Sequence, residues 1–295
     1  MPKHILVTGS NGQLGKELHR LVETSNYSDE FYFTNRDSLN ISSHSKVASF
    51  CKEHNINTIV NCAAYTAVDK AQDDEESANA INHLAVKNLA KVAKEQNIQL
   101  IHVSTDYVFD GTNSQPYTED DTVSPQSVYG QTKLDGENAI VTINPKDSLI
   151  IRTSWVYSSF GANFVKTMLR LGEERDSLGV IFDQVGTPTY AKDLAKSILH
   201  IISATPTTHS QKVEIYNYSN EGACSWYDFA KSIFDISNIS CEVNPITTDQ
   251  YPTPAKRPHY SILNKKKIKE QYNLEIPYWK DSLESCLEEL NHKNI

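Results

Sequence analysis

Short apolar runs closed by glycine or small polar residues alternate along the chain with stretches whose apolar positions recur three and four residues apart. His4-Ile5-Leu6-Val7-Thr8 is the first run, stopped at Gly9; a brief, continuous apolar run fits a strand buried on both faces. Leu14, Leu18, Leu21 and Val22 follow at helical spacing. Phe31–Thr34, Ile56–Asn61, Leu100–Val103 and Asp147–Arg152 repeat the strand signature. Ala78, Ile81, Ala85, Leu89 and Val92 predict one long helix over Glu75–Gln96, and a later helix carries Tyr129 and Lys133. Such alternation implies βαβ units and an α/β fold built on a doubly wound parallel sheet.

Beyond Trp155 the alternation weakens. Helices are expected at Phe164–Glu173, Ala191–Ile202, Trp226–Phe234 and Tyr278–Leu290, with strands at Val180–Phe182 and Val213–Asn217. The expected division is a dinucleotide-binding domain over 1–155, completed by about 188–218, and a smaller α+β substrate-binding region over 156–187 and 219–295.

Composition narrows the function classes. At 295 residues the chain can bury a full core, and 39% hydrophobic with 22% charged residues is ordinary for a globular protein. No apolar run approaches the roughly 20 residues that span a bilayer, and the N-terminus lacks a signal peptide's apolar region, so no membrane partner and a cytoplasmic location are expected. Five scattered Cys without CxxC spacing suggest neither disulfides nor a zinc site. A net charge of -9 argues against nucleic acid as a partner. Lys265-Lys266-Lys267, the one dense basic run, reads as a solvated helix start.

The candidate chemistry sits where strands end. Gly9-Ser10-Asn11-Gly12-Gln13-Leu14-Gly15 lies between a strand and a helix, where glycines permit close backbone approach and a helix N-terminus offers N–H groups to a pyrophosphate. Its first two glycines are two residues apart, not one as in the commonest dinucleotide fingerprint. Asn35 and Arg36 follow the second strand, where an NAD site would place a carboxylate. Arg36 either pairs a ribose 2′-phosphate, favouring NADPH, or is a surface charge beside Asp37. Small residues after the third strand, Cys62-Ala63-Ala64, suit close approach of a cofactor. His102 reads as a packed strand residue, and residues 106–127 form a polar segment long enough to be a functional loop. Tyr129 and Lys133, four apart on a helix, put an ammonium beside a phenol; a nearby cation favours the phenolate and draws its pKa toward a useful range.

Taken in order, GSNGQLG, NCAAYTAVD, STDYVFDG and YGQTK resemble the extended short-chain dehydrogenase/reductase family, whose fold is of Rossmann type. RTSWVY, DQVGTPT and AKRPHYSIL extend the resemblance over nearly the whole chain. It implies a catalytic Thr105–Tyr129–Lys133 triad, and cofactor contacts from Gly9, Asn11, Gly12, Gln13, Leu14, Gly15, Ala63, Ala64 and Thr66, with Asn40 and Ile41 at the adenine. It implies NADPH as cofactor, with NADH as a second acceptable donor, and a nucleotide sugar as the small-molecule substrate. Tyr129 would donate a proton to the reduced keto oxygen, Thr105 would hydrogen-bond that oxygen, and Lys133 would bind nicotinamide ribose hydroxyls. Tyr107 and Trp155 would line the sugar pocket or simply pack; Arg257 would pair the nucleotide pyrophosphate; Asn163 would reach the sugar nucleotide or cap its helix. Some members resemble a dimer linked by magnesium at interface carboxylates. Glu17 matches one such position, but Lys192 stands at another, so no metal is expected, and the chain reads as a monomer or weak homodimer. The competing readings are a nucleotide-sugar epimerase, a reductase of another nucleoside diphosphate sugar, and a non-catalytic NADP-binding regulatory subunit.

Overall fold

The computed structural model describes residues 2–25, 27–204 and 212–292. Its centre is a six-stranded, wholly parallel sheet of β1 (His4–Thr8), β2 (Glu30–Thr34), β3 (Thr58–Asn61), β4 (Gln99–Thr105), β5 (Leu149–Thr153) and β10 (Glu214–Asn217). The spatial order is β10-β5-β4-β3-β1-β2, so the chain steps outward from β1 to β2 and then returns to place β3 on the other side of β1. That reversal opens a crevice beyond the carboxyl ends of β1 and β3, the place where open α/β sheets bind ligands.

Both faces of the sheet are covered, which explains the continuous apolar runs within its strands. On one face, Leu14 and Leu18 of α1 (Gln13–Thr24) pack with Leu194, Ile198 and Ile202 of α7 (Ala191–Ser203) over Ile5, Val7, Val60 and Ile151. On the other, α2 (His44–Glu53), α4 (Val86–Gln96) and α5 (Val128–Ile143) contribute Val47, Leu89, Ala93 and Ile140 over Leu6, Ile59 and Ile150.

The helix expected over Glu75–Gln96 is continuous but not uniform. It runs as α3 (Glu75–Asn79), a π-helical stretch at Ala80–Ala85, and α4. Within the π stretch the buried Asn82 accepts from the Tyr65 N–H at 2.9 Å and donates to the Tyr65 carbonyl at 3.1 Å, tethering the loop after β3. Such single-turn bulges recur at functional sites. A Cβ on Gly136 would lie 2.2 Å from the Asn82 carbonyl oxygen, so only glycine lets α5 come this close.

The second region has its own core. Val165 and Met168 of α6 (Phe164–Glu174), Phe229 and Ile233 of α8 (Trp226–Ser237), and Trp279 and Leu283 of α10 (Trp279–His292) enclose Leu178 and Val243. The latter two lie on a parallel pair, β7 (Ser177–Ile181) with β12 (Glu242–Ile246). The sequence pattern placed the first of these three residues late and did not show the second, whose Asn244-Pro245 interrupts any apolar run. Four two-residue strands, β6 (Val156–Tyr157), β8 (Val185–Gly186), β9 (Thr189–Tyr190) and β11 (Cys224–Ser225), are too short for periodicity to reveal. Lys266 does open a helix, α9 (Lys266–Tyr272), but its flanking cations are not merely solvated: Lys265 is buried against Glu221 at 3.3 Å and Lys267 pairs Glu214 at 2.8 Å.

One buried ion pair joins the sheet to α5. Arg152 on β5 donates through Nε and Nη2 to both oxygens of Glu137, at 3.1 and 2.7 Å, with both side chains at most 3% exposed. Removing one partner strands the other charge in the core. Arg152→Met should therefore cost about 3–5 kcal/mol in urea unfolding at neutral pH, and the double variant Arg152→Met/Glu137→Leu should recover much of that loss.

Candidate active site

The turn after β1 is built from backbone contacts that no side chain could tolerate. Gly9 has φ +69°, and a Cβ there would lie 2.6 Å from the Ala63 nitrogen. A Cβ on Gly15 would lie 2.5 Å from the Gly9 carbonyl oxygen. The loops after β1 and β3 thus pack backbone to backbone, and α1 starts at Gln13 without a side-chain cap. Between them opens a cleft of about 600 Å³ lined by Gly9, Asn11, Gly12, Arg36, Asn40, Ile41, Ala63 and Ala64, with Asn35, Tyr65 and Ser77. Arg36 is exposed on its wall.

Other residues named for the cofactor lie off this wall. Leu14 is buried in the core, and Thr66 is exposed. Gln13 turns toward the second region, donating to the Val156 carbonyl at 3.4 Å and accepting from Asn163 Nδ2 at 2.9 Å.

Tyr129 is hydrogen-bonded with Thr105 at the carboxyl end of β4, and Lys133, one turn along α5, reaches the Val103 carbonyl of the same strand. Ser127 caps α5 by accepting from the Gly130 N–H at 3.1 Å. A Cβ on Gly130 would lie 2.3 Å from the Tyr107 carbonyl oxygen, so glycine here lets the first turn of α5 rest against the loop after β4. All three side chains are buried. Thr105 Oγ1 lies 3.0 Å from Asp106 Oδ1, to which it donates, and accepts from the Tyr107 N–H at 3.2 Å. The Tyr107 ring meets the Tyr129 ring edge-on at 5.4 Å.

A second cavity, of about 520 Å³, opens toward the smaller region and is lined by Asp69, Phe164, Met168, Arg175, Gln184, Trp226, Tyr251 and Arg257, among others. Arg257 forms a two-pronged pair with Asp69, at 3.0 and 2.8 Å. Trp155, at φ +49°, stacks on Trp226 with ring centres 3.5 Å apart. Asn163 caps α6 by accepting from the Lys166 N–H at 3.2 Å. The sequence reading passed over Asp69, Asp106 and Trp226. Asp69 and Asp106 lie inside motifs already singled out, NCAAYTAVD and STDYVFDG, whereas nothing in the sequence tied Trp226 to Trp155.

The family described as RmlD substrate binding domain matches residues 3–292. The chain belongs to the RmlD family. It is 42% identical to the dTDP-4-dehydrorhamnose reductase of Aggregatibacter actinomycetemcomitans over 95% of this chain and 97% of that protein. Among solved structures, a dTDP-4-dehydrorhamnose reductase of Clostridium acetobutylicum superposes with a TM-score of 0.90 at 42% identity, covering 98% of this chain and 99% of that one. The Bacillus anthracis dTDP-4-dehydrorhamnose reductase, solved in complex with NADP, gives a TM-score of 0.89 at 36% identity, covering 98% and 100%.

In this RmlD-family chain Glu17 is buried, accepts from Ser158 at 2.6 Å and is paired with Arg20, while Lys192 pairs with Glu289. Among the described residues no group of three or more His, Cys, Asp or Glu is placed to hold a metal ion, and no helix is long and apolar enough to cross a membrane.

Burial dominates the electrostatics of the site. It pushes the Tyr129 phenol up to about 12; the hydrogen bond with Thr105 opposes this, and the Asp106 charge reinforces it. The pull expected from Lys133 is not among the influences on that phenol, which stays in its protonated form. Burial draws the Lys133 ammonium down to about 8, against the opposing charges of Glu137 and Cys62. The Asp106 carboxyl is raised by burial to about 6, against the hydrogen bond that Thr105 donates to its Oδ1.

A carboxyl whose folded pKa exceeds its unfolded value, near 3.9, stabilises the fold fully only below that value and loses its contribution as pH rises through about 6. Asp106→Asn removes this dependence. Relative to the variant, the native chain should therefore lose about 2 kcal/mol of unfolding free energy between pH ~4 and pH ~7, measured by urea denaturation; a constant difference would contradict the assigned shift.

Proposed function

We propose that this chain reduces the 4-keto group of dTDP-4-dehydro-L-rhamnose with NADPH to give dTDP-L-rhamnose. The observation that carries the proposal is the meeting of Thr105, Tyr129 and Lys133 beside the glycine-lined cleft, in a chain whose relatives are named for this reductase. The Tyr65 loop, which lines that cleft, packs with Tyr129 and Tyr107; Arg257 and Asp69 of the second cavity lie close enough to Tyr107 to act on its charge. In this reading residues 1–155, with 188–218, hold the dinucleotide, and 156–187 with 219–295 hold the sugar nucleotide. The placement of β10 on the main sheet and the separate core around Phe229 support that division, while α9, within 219–295, packs Ile268 and Tyr272 into the core of the sheet.

Bound NADPH supplies the hydride for the ketone carbon. Gly9, Asn11 and Gly12 would offer backbone to its pyrophosphate, Arg36 would pair its 2′-phosphate, and Asn40 and Ile41 would flank its adenine. Tyr129 gives its proton to the emerging alkoxide, and a phenol held near 12 is present as the acid at neutral pH. Thr105 hydrogen-bonds the keto oxygen and lies within reach of the phenol. Lys133 holds ribose hydroxyls. Arg257, presented by Asp69, meets the substrate diphosphate, and Trp155, stacked on Trp226, walls the sugar side.

NADPH oxidation, followed by its absorbance with dTDP-4-dehydro-L-rhamnose and with GDP- and UDP-keto sugars in parallel, tests the reading. Turnover confined to the dTDP sugar is expected; tight NADPH binding without turnover on any sugar would point to a regulatory subunit. Tyr129→Phe should lower kcat by ~10²-fold or more with NADPH affinity nearly unchanged. Arg36→Ala should weaken NADPH more than NADH, and equal weakening would refute its role.

A further inference from the structure

A buried row of polar side chains crosses beneath the site from β1 to α5. Thr8 Oγ1 donates to Asn61 Oδ1 at 2.6 Å, and the Ala63 backbone N–H donates to the same oxygen at 3.2 Å. A backbone N–H can only donate, so the atom Asn61 presents to Ala63 is its oxygen, and its amide nitrogen must face the opposite way. That nitrogen lies 2.9 Å from His102 Nδ1. Nδ1 is therefore the acceptor, and the single proton of a neutral imidazole sits on Nε2. His102 Nε2 in turn lies 3.3 Å from Lys133 Nζ, which donates to the Val103 carbonyl at 2.7 Å. An ammonium at that position would oppose one donor to another. A neutral amine offers a lone pair to the Nε2–H and keeps a hydrogen for Val103.

We propose that His102 is a positioning residue for Lys133: locked by Asn61 in its Nε2–H tautomer, it donates to Lys133 Nζ, fixes that side chain and biases it toward the neutral amine before cofactor binds. The proposal rests on the reading of Lys133 as a cofactor-binding residue. His102, Asn61 and Lys133 are each at most 1% exposed, so no bulk water competes for these bonds. Burial, the largest influence on the imidazole, holds it neutral, and burial likewise weakens the ammonium. The other groups facing Lys133 are Glu137, one turn along α5 and bound to Arg152; Cys62 at the end of β3, whose thiol burial pushes up to about 12; and Tyr129, one turn back. Of these Glu137 and, more weakly, Cys62 act against His102, which leaves the lysine poised between its two states.

NADPH binding, read by fluorescence from about pH 7 to about pH 10, above the range in which the 2′-phosphate titrates, follows this ionisation without turnover. The native chain should show one ionisation near pH 8, and Lys133→Met should abolish it. His102→Leu keeps the burial and removes the N–H donor, so the ionisation should move up by about one pH unit. His102→Gln, which can turn its carbonyl to an ammonium, should move it the same way and serves if the leucine variant does not fold. An ionisation that stays in place in the folded variants overturns the role of His102. If Lys133→Met instead retains the native pH dependence, the assignment of Lys133 to the cofactor fails, and the role of His102 fails with it.

Discussion

Helix α5 must sit closer to its neighbours than side chains allow, and the site depends on that approach. Gly130 faces the Tyr107 carbonyl and Gly136 faces the Asn82 carbonyl, each at a distance where a Cβ would overlap the oxygen. The first contact brings Tyr129 beside the end of β4; the second seats the helix on the π-helical stretch. Behind them the Arg152–Glu137 pair anchors the helix to β5 with three charge-assisted bonds. Because the pair is buried, its geometry is held by the cost of breaking it rather than by net stabilisation. Tyr129 and Lys133 are thus placed by contacts on both sides and beneath.

The same closeness sets the chemistry. A phenol, an ammonium, an imidazole and a carboxyl lie together with little water, and burial is the largest influence on each. Every one of the four is moved toward its uncharged form, because a low-dielectric environment penalises charge of either sign. An i, i+4 pairing of Lys with Tyr would favour the phenolate on an exposed helix, but here both partners are drained of solvent and the neutral phenol wins. For a reduction that ends in proton donation, a protonated phenol is the useful form.

The two cavities follow from topology. The first lies where the strand order reverses between β1 and β3, and its walls are backbone and small side chains. The second lies between the sheet's loops and the smaller region, and its walls are aromatic and aliphatic with a few charges. Arg257 is presented there by Asp69, whose carboxylate is held below its ordinary range by hydrogen bonds from that guanidinium. The Trp155–Trp226 stack joins the end of β5 to the start of α8, tying the aromatic wall to the sheet.

Local pattern determined much of this before any packing was known. Continuous apolar runs marked the parallel strands because both faces of the sheet are covered, and the spacing of Tyr129 and Lys133 placed them on one helix face. The glycines of residues 9–15 marked the turn beside the cleft, since their lack of a Cβ is itself the structural requirement. Asn163 was left between two roles; the capping bond to Lys166 is in place, and its amide also reaches Gln13 across the two regions. What sequence alone could not decide depends on contacts between distant segments. The Asp69–Arg257 pair joins residues 188 positions apart, and the row from Thr8 through Asn61 and His102 to Lys133 joins three strands and a helix. His102 looked like strand packing because its neighbours along the chain are apolar; its partners come from β3 and α5. Ionisation also belonged to the tertiary structure, because desolvation is a property of everything that surrounds a group, and no spacing along the chain records it.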